Sequence, residues 1–98
     1  MHSEEALREA ICETGRRLWQ KGFVAASDGN ISVRLSADTF LCTPSQVSKG
    51  FMSPADLVTA DASGRRLSGN GAVTSEFFTH LAAYEERPAV HAVFDPRP

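Results

Sequence analysis

The chain has 98 residues, of which 42% are apolar and 22% are charged, proportions typical of one small soluble domain. A net charge of −2 without a basic stripe argues against nucleic-acid binding, and no apolar run reaches the ~18 residues of a membrane span. The amino terminus has no apolar secretory segment, and Cys12 and Cys42 are isolated, so we expect a cytoplasmic protein with reduced thiols and one domain over residues 1–98.

Hydrophobic periodicity predicts two helices and five strands. Ser3 caps the first helix, whose apolar residues recur near the 3.6-residue period, and Gly22 follows its end. Strands are recognised by period-two alternation, as in residues 31–35. In chain order the predicted elements are a helix over 4–21, strands over 31–35 and 39–43, a helical turn beginning at Pro54, strands over 57–61 and 66–67, a helix from Thr74 or Ser75 to about Glu86, and a strand over 89–94. This order predicts an α+β fold, a mainly antiparallel sheet flanked by helices in an α/β/α arrangement.

Three short segments combine hydroxyl or amide side chains with a turn residue or a helix start. They are Gly29-Asn30, Thr43-Pro44-Ser45-Gln46 and Thr74-Ser75-Glu76. Backbone N–H groups and hydroxyls gathered in this way suit a phosphate or another anion, and Glu76 is the one obvious acid/base in the set. Taken alone, each segment is explained as well by an ordinary turn or a helix cap.

The histidines indicate a second chemistry, which is metal binding. Glu76 and His80 are four residues apart and share a helix face, so they could ligate one metal ion together. An i,i+4 hydrogen bond or independent packing is the simpler interpretation of this pair. His91 falls on a predicted strand with no ligand partner nearby in the sequence.

The motifs gain meaning from their order along the chain. The informative runs are Thr14-Gly15-Arg16-Arg17-Leu18, Ser27-Asp28-Gly29-Asn30-Ile31-Ser32-Val33-Arg34, Leu41-Cys42-Thr43-Pro44-Ser45, Ser48-Lys49-Gly50, Asp56-Leu57-Val58, Thr74-Ser75-Glu76 and His80-Leu81-Ala82-Ala83-Tyr84. Together they resemble the N-terminal half of the class II aldolase/adducin family, in the style of its L-fuculose-1-phosphate aldolase branch. The resemblance spans about residues 5–93 with the right spacing throughout.

The resemblance implies a zinc-dependent lyase that cleaves a ketose phosphate to dihydroxyacetone phosphate and an aldehyde. In such a site the metal acts as a Lewis acid on the substrate oxygens, and Glu76 matches the catalytic acid/base. The positions that match phosphate-binding residues are Gly29, Asn30, Ser45, Gln46, Thr74 and Ser75. Gln46 stands where glycine is common in the family. The resemblance also implies a homotetramer with sites between subunits.

The resemblance ends after residue 93, where the family has a His-x-His pair that binds the metal. Asp95 and Arg97 stand at those positions, and the permanently cationic guanidinium of Arg97 cannot ligate a metal. Because Glu76 and Asp95 are the only possible ligands at the family's metal-binding positions, we expect the chain neither to bind zinc tightly nor to turn over. A truncated or shifted reading frame is the simplest interpretation of this departure.

Two alternatives stay open at this point. A pentulose-phosphate 4-epimerase or a methylthioribulose-phosphate dehydratase of the same family would share these phosphate and metal segments. A non-catalytic, adducin-like interaction module is the other alternative. The departure at Asp95 and Arg97 favours such a module, whereas the presence of Glu76 and the two neighbouring hydroxyls argues against it.

Overall fold

The computed structural model describes residues 3–24, 29–45 and 47–95, and within these ranges the chain forms two helices and one five-stranded sheet. The elements are α1 (Glu4–Gln20), β1 (Asn30–Ser36), β2 (Thr39–Cys42), β3 (Val58–Asp61), β4 (Arg66–Ser68), α2 (Phe77–Glu86) and β5 (Ala92–Asp95), with a 3-10 helical turn at Pro54–Asp56 before β3. The strand order is β4-β3-β2-β1-β5, and each neighbouring pair is antiparallel. The predicted antiparallel sheet is confirmed.

The two helices cover opposite faces of the sheet, because successive strand residues point in opposite directions. Leu41 of β2 faces α1, whereas its neighbours Phe40 and Cys42 face α2. The α1-side cluster consists of the buried residues Ile11, Ile31, Leu41 and Leu57. The α2-side cluster consists of the buried residues Phe40, Cys42, Val58, Ala60, Phe77 and Tyr84. The layered α+β arrangement is therefore also confirmed.

Helix α1 has nearly the predicted boundaries because the predicted signals stand at both of its ends. The Oγ of Ser3 accepts a hydrogen bond from the Ala6 N–H at 3.1 Å, which satisfies one of the unpaired donors of the first turn. Gly22 has a φ of 78°, a conformation that suits glycine just beyond a helix. Within the residues that the structure describes, neither helix has the length and apolar character that crossing a bilayer requires.

Two elements begin later than the sequence predicts. α2 begins at Phe77 rather than beside Thr74 or Ser75, because Phe77 N–H bonds the Thr74 carbonyl at 3.0 Å and residues 74–77 form a separate turn. β5 begins at Ala92 rather than at residue 89, because Val90 N–H bonds the Arg87 carbonyl at 2.9 Å in another turn. Such local turns compete with the longer elements at their ends.

Candidate functional site

The first predicted segment ends in a buried corner where β1 begins. Gly29 has a φ of 83°, and a Cβ added there would lie 3.1 Å from Val24 Cγ1 and 3.4 Å from the Asp95 carbonyl oxygen. Both the conformation and the close approach require glycine. Asn30 follows as the first residue of β1, is 7% exposed, and pairs with Asp95 of β5.

The second segment lies beside the first. Thr43 N–H donates to the Ile31 carbonyl at 2.9 Å, and Thr43 Oγ1 accepts from the Ile31 N–H at 3.2 Å. These two bonds hold the end of β2 next to the start of β1. Ser45 is half-buried, and Gln46 lies outside the described residues.

The third segment lies on the other side of the second. Pro44 forms an isolated antiparallel bridge with Val73, and Ser45 N–H donates to the Ala72 carbonyl at 3.1 Å. Residues 43–45 therefore connect the start of β1 to the strand-like stretch that leads into Thr74. The three segments thus converge, by backbone contact, at one end of the sheet.

The convergent segments lead directly to the N-terminus of α2. Thr74 Oγ1 accepts the Glu76 N–H at 3.2 Å, Ser75 is exposed, and Glu76 is half-buried in the N-cap position. Glu76 has helical dihedral angles of −70° and −12°, and makes no side-chain cap. The helix dipole favours an anion at this point, whereas the N–H groups of Glu76, Phe77 and Thr79 already bond Thr74 Oγ1, the Thr74 carbonyl and the Glu76 carbonyl.

His80 lies deeper in the structure, one turn after Glu76. Its Nδ1 is 2.6 Å from Ser32 Oγ, and the same hydroxyl is 2.8 Å from the Tyr84 phenol oxygen. Ser32, His80 and Tyr84 are 0%, 1% and 3% exposed, so the three side chains form a buried polar group between β1 and α2. His80 is therefore a buried side chain that packs between α2 and the sheet, and its ring is hydrogen-bonded to Ser32 of β1.

Ser32 is the buried polar residue of this region that sequence reasoning did not single out. Asn30, Ser32 and Arg34 alternate along β1 and share the face that carries α2, where β2 and β3 offer apolar side chains instead. The sequence does contain a signal for this, because β1 has polar residues at alternate positions whereas the neighbouring strands are apolar on the same face. We interpreted the alternation as that of an ordinary half-buried strand, so the polar face was not recognised.

The electrostatics of this region argue against three other side chains as nucleophiles. Burial raises the pKa of the Cys42 thiol to about 12, and burial also raises the pKa of Tyr84, against the lowering effect of its hydrogen bond with Ser32. The pKa of Cys12 is also raised, first by burial and then by the nearby Asp56 charge. Near neutral pH these groups keep their protons, so they are poor nucleophiles.

The predicted metal ligands do not form a complete set among residues 3–24, 29–45 and 47–95. These ranges contain no group of three or more His, Cys, Asp or Glu side chains that could hold a metal ion. Asp95 is buried at the end of β5, opposite Asn30, and Arg97 lies outside the described residues. A zinc ion thus does not fit the described donors, and the roles of Glu76 and Asp95 as ligands stay predictions.

Comparison with known sequences identifies the relatives of this chain. The sequence model of the family described as Class II Aldolase and Adducin N-terminal domain matches residues 9–94. A 3-oxo-tetronate 4-phosphate decarboxylase from Cupriavidus necator is 38% identical over 95% of this chain and 42% of its own length. A methylthioribulose-1-phosphate dehydratase from Pseudomonas syringae pv. tomato is 38% identical over 93% of this chain and 45% of its own length.

Solved structures of related proteins also superpose on this chain. YgbL from Escherichia coli superposes with a TM-score of 0.86 at 32% identity, over 94% of this chain and 44% of that protein. An L-fuculose-1-phosphate aldolase from Thermus thermophilus superposes with a TM-score of 0.77 at 30% identity, over 96% of this chain and 47% of that protein. The chain spans less than half the length of each of these four proteins.

Proposed function

The chain belongs to the class II aldolase and adducin family, and on this basis we propose that it carries a site for the phosphate of a small phosphorylated ketose or keto acid, with Glu76 as the group that moves a proton. One observation carries the proposal. The segments at Asn30, Ser45 and Thr74 meet at one end of the sheet through backbone hydrogen bonds and a bridge, although 12 or more residues of sequence separate each from the next.

The phosphate is bound by neutral donors in this proposal. Gly29 lets the backbone come close, Asn30 supplies an amide, and Thr74 and Ser75 supply hydroxyls at the positive end of the α2 dipole. Ser45 and Gln46 complete the set that the resemblance implies. Hydrogen bonds to a charged acceptor are about twice as strong as neutral ones, so such a set can hold a phosphate without an adjacent cation.

Glu76 would act on carbon or oxygen next to the substrate ketone. Decarboxylation, dehydration and aldol cleavage of such substrates share one requirement, which is a group that takes up or returns a proton as the enolate forms or collapses. Glu76 directly follows Thr74 and Ser75 in the chain and is half-buried, so part of its surface is accessible to a substrate.

The names of the relatives guide the choice of reaction. The two sequence relatives are named for decarboxylation and for dehydration, whereas the Thermus thermophilus structure is named for aldol cleavage. We therefore place a phosphorylated keto-acid decarboxylase or ketose-phosphate dehydratase first, and an aldolase of the L-fuculose-1-phosphate type second. All three proposed activities are lyase reactions on a small phosphorylated keto compound.

Binding of phosphate esters tests the proposal. Titration of the purified chain with inorganic phosphate and with dihydroxyacetone phosphate, followed by calorimetry, should give saturable binding of both. Ser75→Ala should weaken phosphate binding about tenfold, because one hydrogen bond to a charged group is lost. Ser36→Ala is the matched control, since Ser36 is exposed at the far end of β1 from Asn30. An adducin-like interaction module would bind neither compound.

The role of Glu76 is separable from phosphate binding by one substitution. Glu76→Gln removes a negative charge beside the proposed anion, so it should leave phosphate affinity unchanged or increase it. A large loss of affinity in this variant would make Glu76 a direct phosphate ligand and overturn its assignment as acid/base.

The assembly is also a proposal. The family resemblance implies a homotetramer, and light scattering coupled to size-exclusion chromatography measures the mass of the assembly directly. A mass near 10.6 kDa would identify a monomer and contradict the tetramer.

A further inference from the structure

β1 and α2 run side by side in the same direction, and their contacts follow a regular register. Ser32 contacts His80 and Tyr84, and two residues further along β1, Arg34 contacts Tyr84. Two strand residues span roughly 6.6–6.8 Å, and four helix residues span roughly 6 Å, so the two spacings match. Extending both spacings by one step would place Asn30 level with Glu76.

The polar contacts define this register, because they are directional. Ser32 has one hydroxyl proton and two acceptor lone pairs, so its oxygen can bond both neighbours at once, and the His80 tautomer sets the direction of the bond to the ring. Both short bonds need Ser32 Oγ to lie between the His80 ring and the Tyr84 phenol. A displacement of α2 by a fraction of a turn would break both of these bonds between buried side chains.

Arg34 reinforces the far end of the same contact. Its Nη2 donates to the Tyr84 carbonyl at 3.3 Å, and its guanidinium carbon lies 4.9 Å from the centre of the Tyr84 ring. The carbonyls near the end of a helix lack partners within the helix, so this bond satisfies one of them. The contact adds a second fixed point for α2 on β1.

The apolar contacts of α2 cannot fix its position in the same way. Phe77 and Tyr84 pack on Phe40 with ring centres 5.8 Å and 4.7 Å apart. Such packing holds the helix against the sheet, but hydrophobic burial has no preferred direction, whereas a short hydrogen bond has one. The hydrogen bonds therefore add a directional constraint on the position of α2 along β1.

We propose that His80, through Ser32, is a positioning residue that sets the place of α2 along β1 and so aligns Glu76 and the Thr74-Ser75 hydroxyls with Asn30. The proposal rests on the phosphate site described above, because that site takes donors from both elements. His80 does not contact the substrate in this arrangement. It acts through the helix that also carries Glu76 at its N-cap.

The first test measures phosphate binding in three variants of the whole chain. His80→Phe fills the same space without a nitrogen for Ser32, and should weaken the affinity for inorganic phosphate about tenfold. His80→Asn keeps a polar atom close to the position of Nδ1 and should restore affinity to within about threefold of the original chain. Ile11→Val, a buried change on the opposite face, should leave affinity unchanged at a temperature where all variants are folded.

The second test needs no ligand. If the original chain fails to bind phosphate, that failure contradicts the proposed function alone, and the second test still decides whether His80 positions α2. In two-dimensional NMR spectra, His80→Phe should move the amide resonances of Glu76 and Asn30, and His80→Asn should return them towards their original positions. If His80→Phe does not fold, Ser32→Ala replaces it and should move the same resonances. A folded His80→Phe or Ser32→Ala variant that leaves both resonances in place overturns the proposal.

Discussion

On the face of the sheet that carries α1, the buried contacts between helix and strands are apolar. On the face that carries α2, they are apolar over β2 and β3 but polar over β1. Apolar packing gives stability and tolerates small shifts, whereas short buried hydrogen bonds tolerate very little displacement. The polar contacts occur where the candidate site takes donors from both a strand and a helix. The α1 face thus provides stability, and the α2 face also constrains the position of α2 relative to β1.

Neighbouring residues of β2 allow the apolar part of each face to be disrupted separately. Phe40→Ala should cost about 3–5 kcal/mol of unfolding free energy, and Leu41→Ala about 2–5 kcal/mol, because both side chains are buried. Urea denaturation measures both costs. The single tryptophan, Trp19, lies on α1 with its ring 5.0 Å from that of Phe51. Its fluorescence in the folded state should change more in Leu41→Ala than in Phe40→Ala.

The opposite fluorescence result would show that the two clusters do not respond independently. A cost below about 1 kcal/mol for Phe40→Ala would show that packing against Phe77 and Tyr84 contributes little to holding α2. In that case the polar contacts over β1 would carry the attachment of this helix.

A second comparison sets a buried hydroxyl against an accessible one. Ser32→Ala should cost about 1–3 kcal/mol, because it leaves the His80 and Tyr84 polar atoms buried without that partner. Ser68→Ala removes the 2.6 Å bond to Thr59 on an exposed strand and should cost less than about 1 kcal/mol. The same urea measurement applies, and equal costs would contradict the special role of the β1 hydroxyl.

Local signals in the sequence predicted the stable parts of this fold well. The Ser3 cap and Gly22 predicted α1 to within one residue, and the alternation in residues 31–35 predicted β1. The segments of the candidate site were singled out because turn residues and hydroxyls cluster in them, and their role in binding a phosphate stays a prediction. Their convergence was inferred from family resemblance and from no local pattern, because it depends on pairings such as Pro44 with Val73.

The details that the sequence did not predict depend on contacts between distant residues. The start of α2 depends on whether the Thr74 carbonyl accepts from Phe77, which competes with a longer helix. The partner of His80 is 48 residues away on β1, so no pattern within α2 could identify it. Polarity at Ser32 becomes informative only when the neighbouring strands on that face are known to be apolar.

The two thiols allow the two faces to be compared by pH. Cys42 belongs to the α2-side cluster, and its pKa is raised from 9.0 to about 12 by burial. The unfolded chain ionises this thiol first, so its contribution to stability is complete below pH 9 and declines as the pH rises to about 12. The slope should be about 1.4 kcal/mol per pH unit for this one proton. Denaturation from pH 8 to 11 should show a shallower loss of stability in Cys42→Ala than in the original chain.

Cys12 on the α1 side provides the matched control. It is only half-buried, and although its pKa is also raised, Cys12→Ala should change the slope less than Cys42→Ala does. An equal effect of the two substitutions would mean that burial excludes water from the two thiols to the same extent. Tyr84 adds to the alkaline loss in both variants alike, because its pKa is raised above 10.0 by burial.

Zinc should have the smallest effect. A zinc titration tests whether the polar contacts over β1 only hold α2 in place or belong to a metal site. His80 uses Nδ1 for Ser32, and no group of three donors among the described ranges is placed to hold a metal. We expect zinc titration of the purified chain to show no stoichiometric site of micromolar affinity and no shift in the Glu76 or His80 resonances. A structural zinc or catalytic zinc site needs about three or four protein ligands, so tight binding would require His80 to leave Ser32 or residues beyond position 95 to contribute. A stoichiometric site that persists in Ser32→Ala but disappears in His80→Phe would therefore make His80 a metal ligand, and the polar face of β1 would then serve the metal rather than the register of α2.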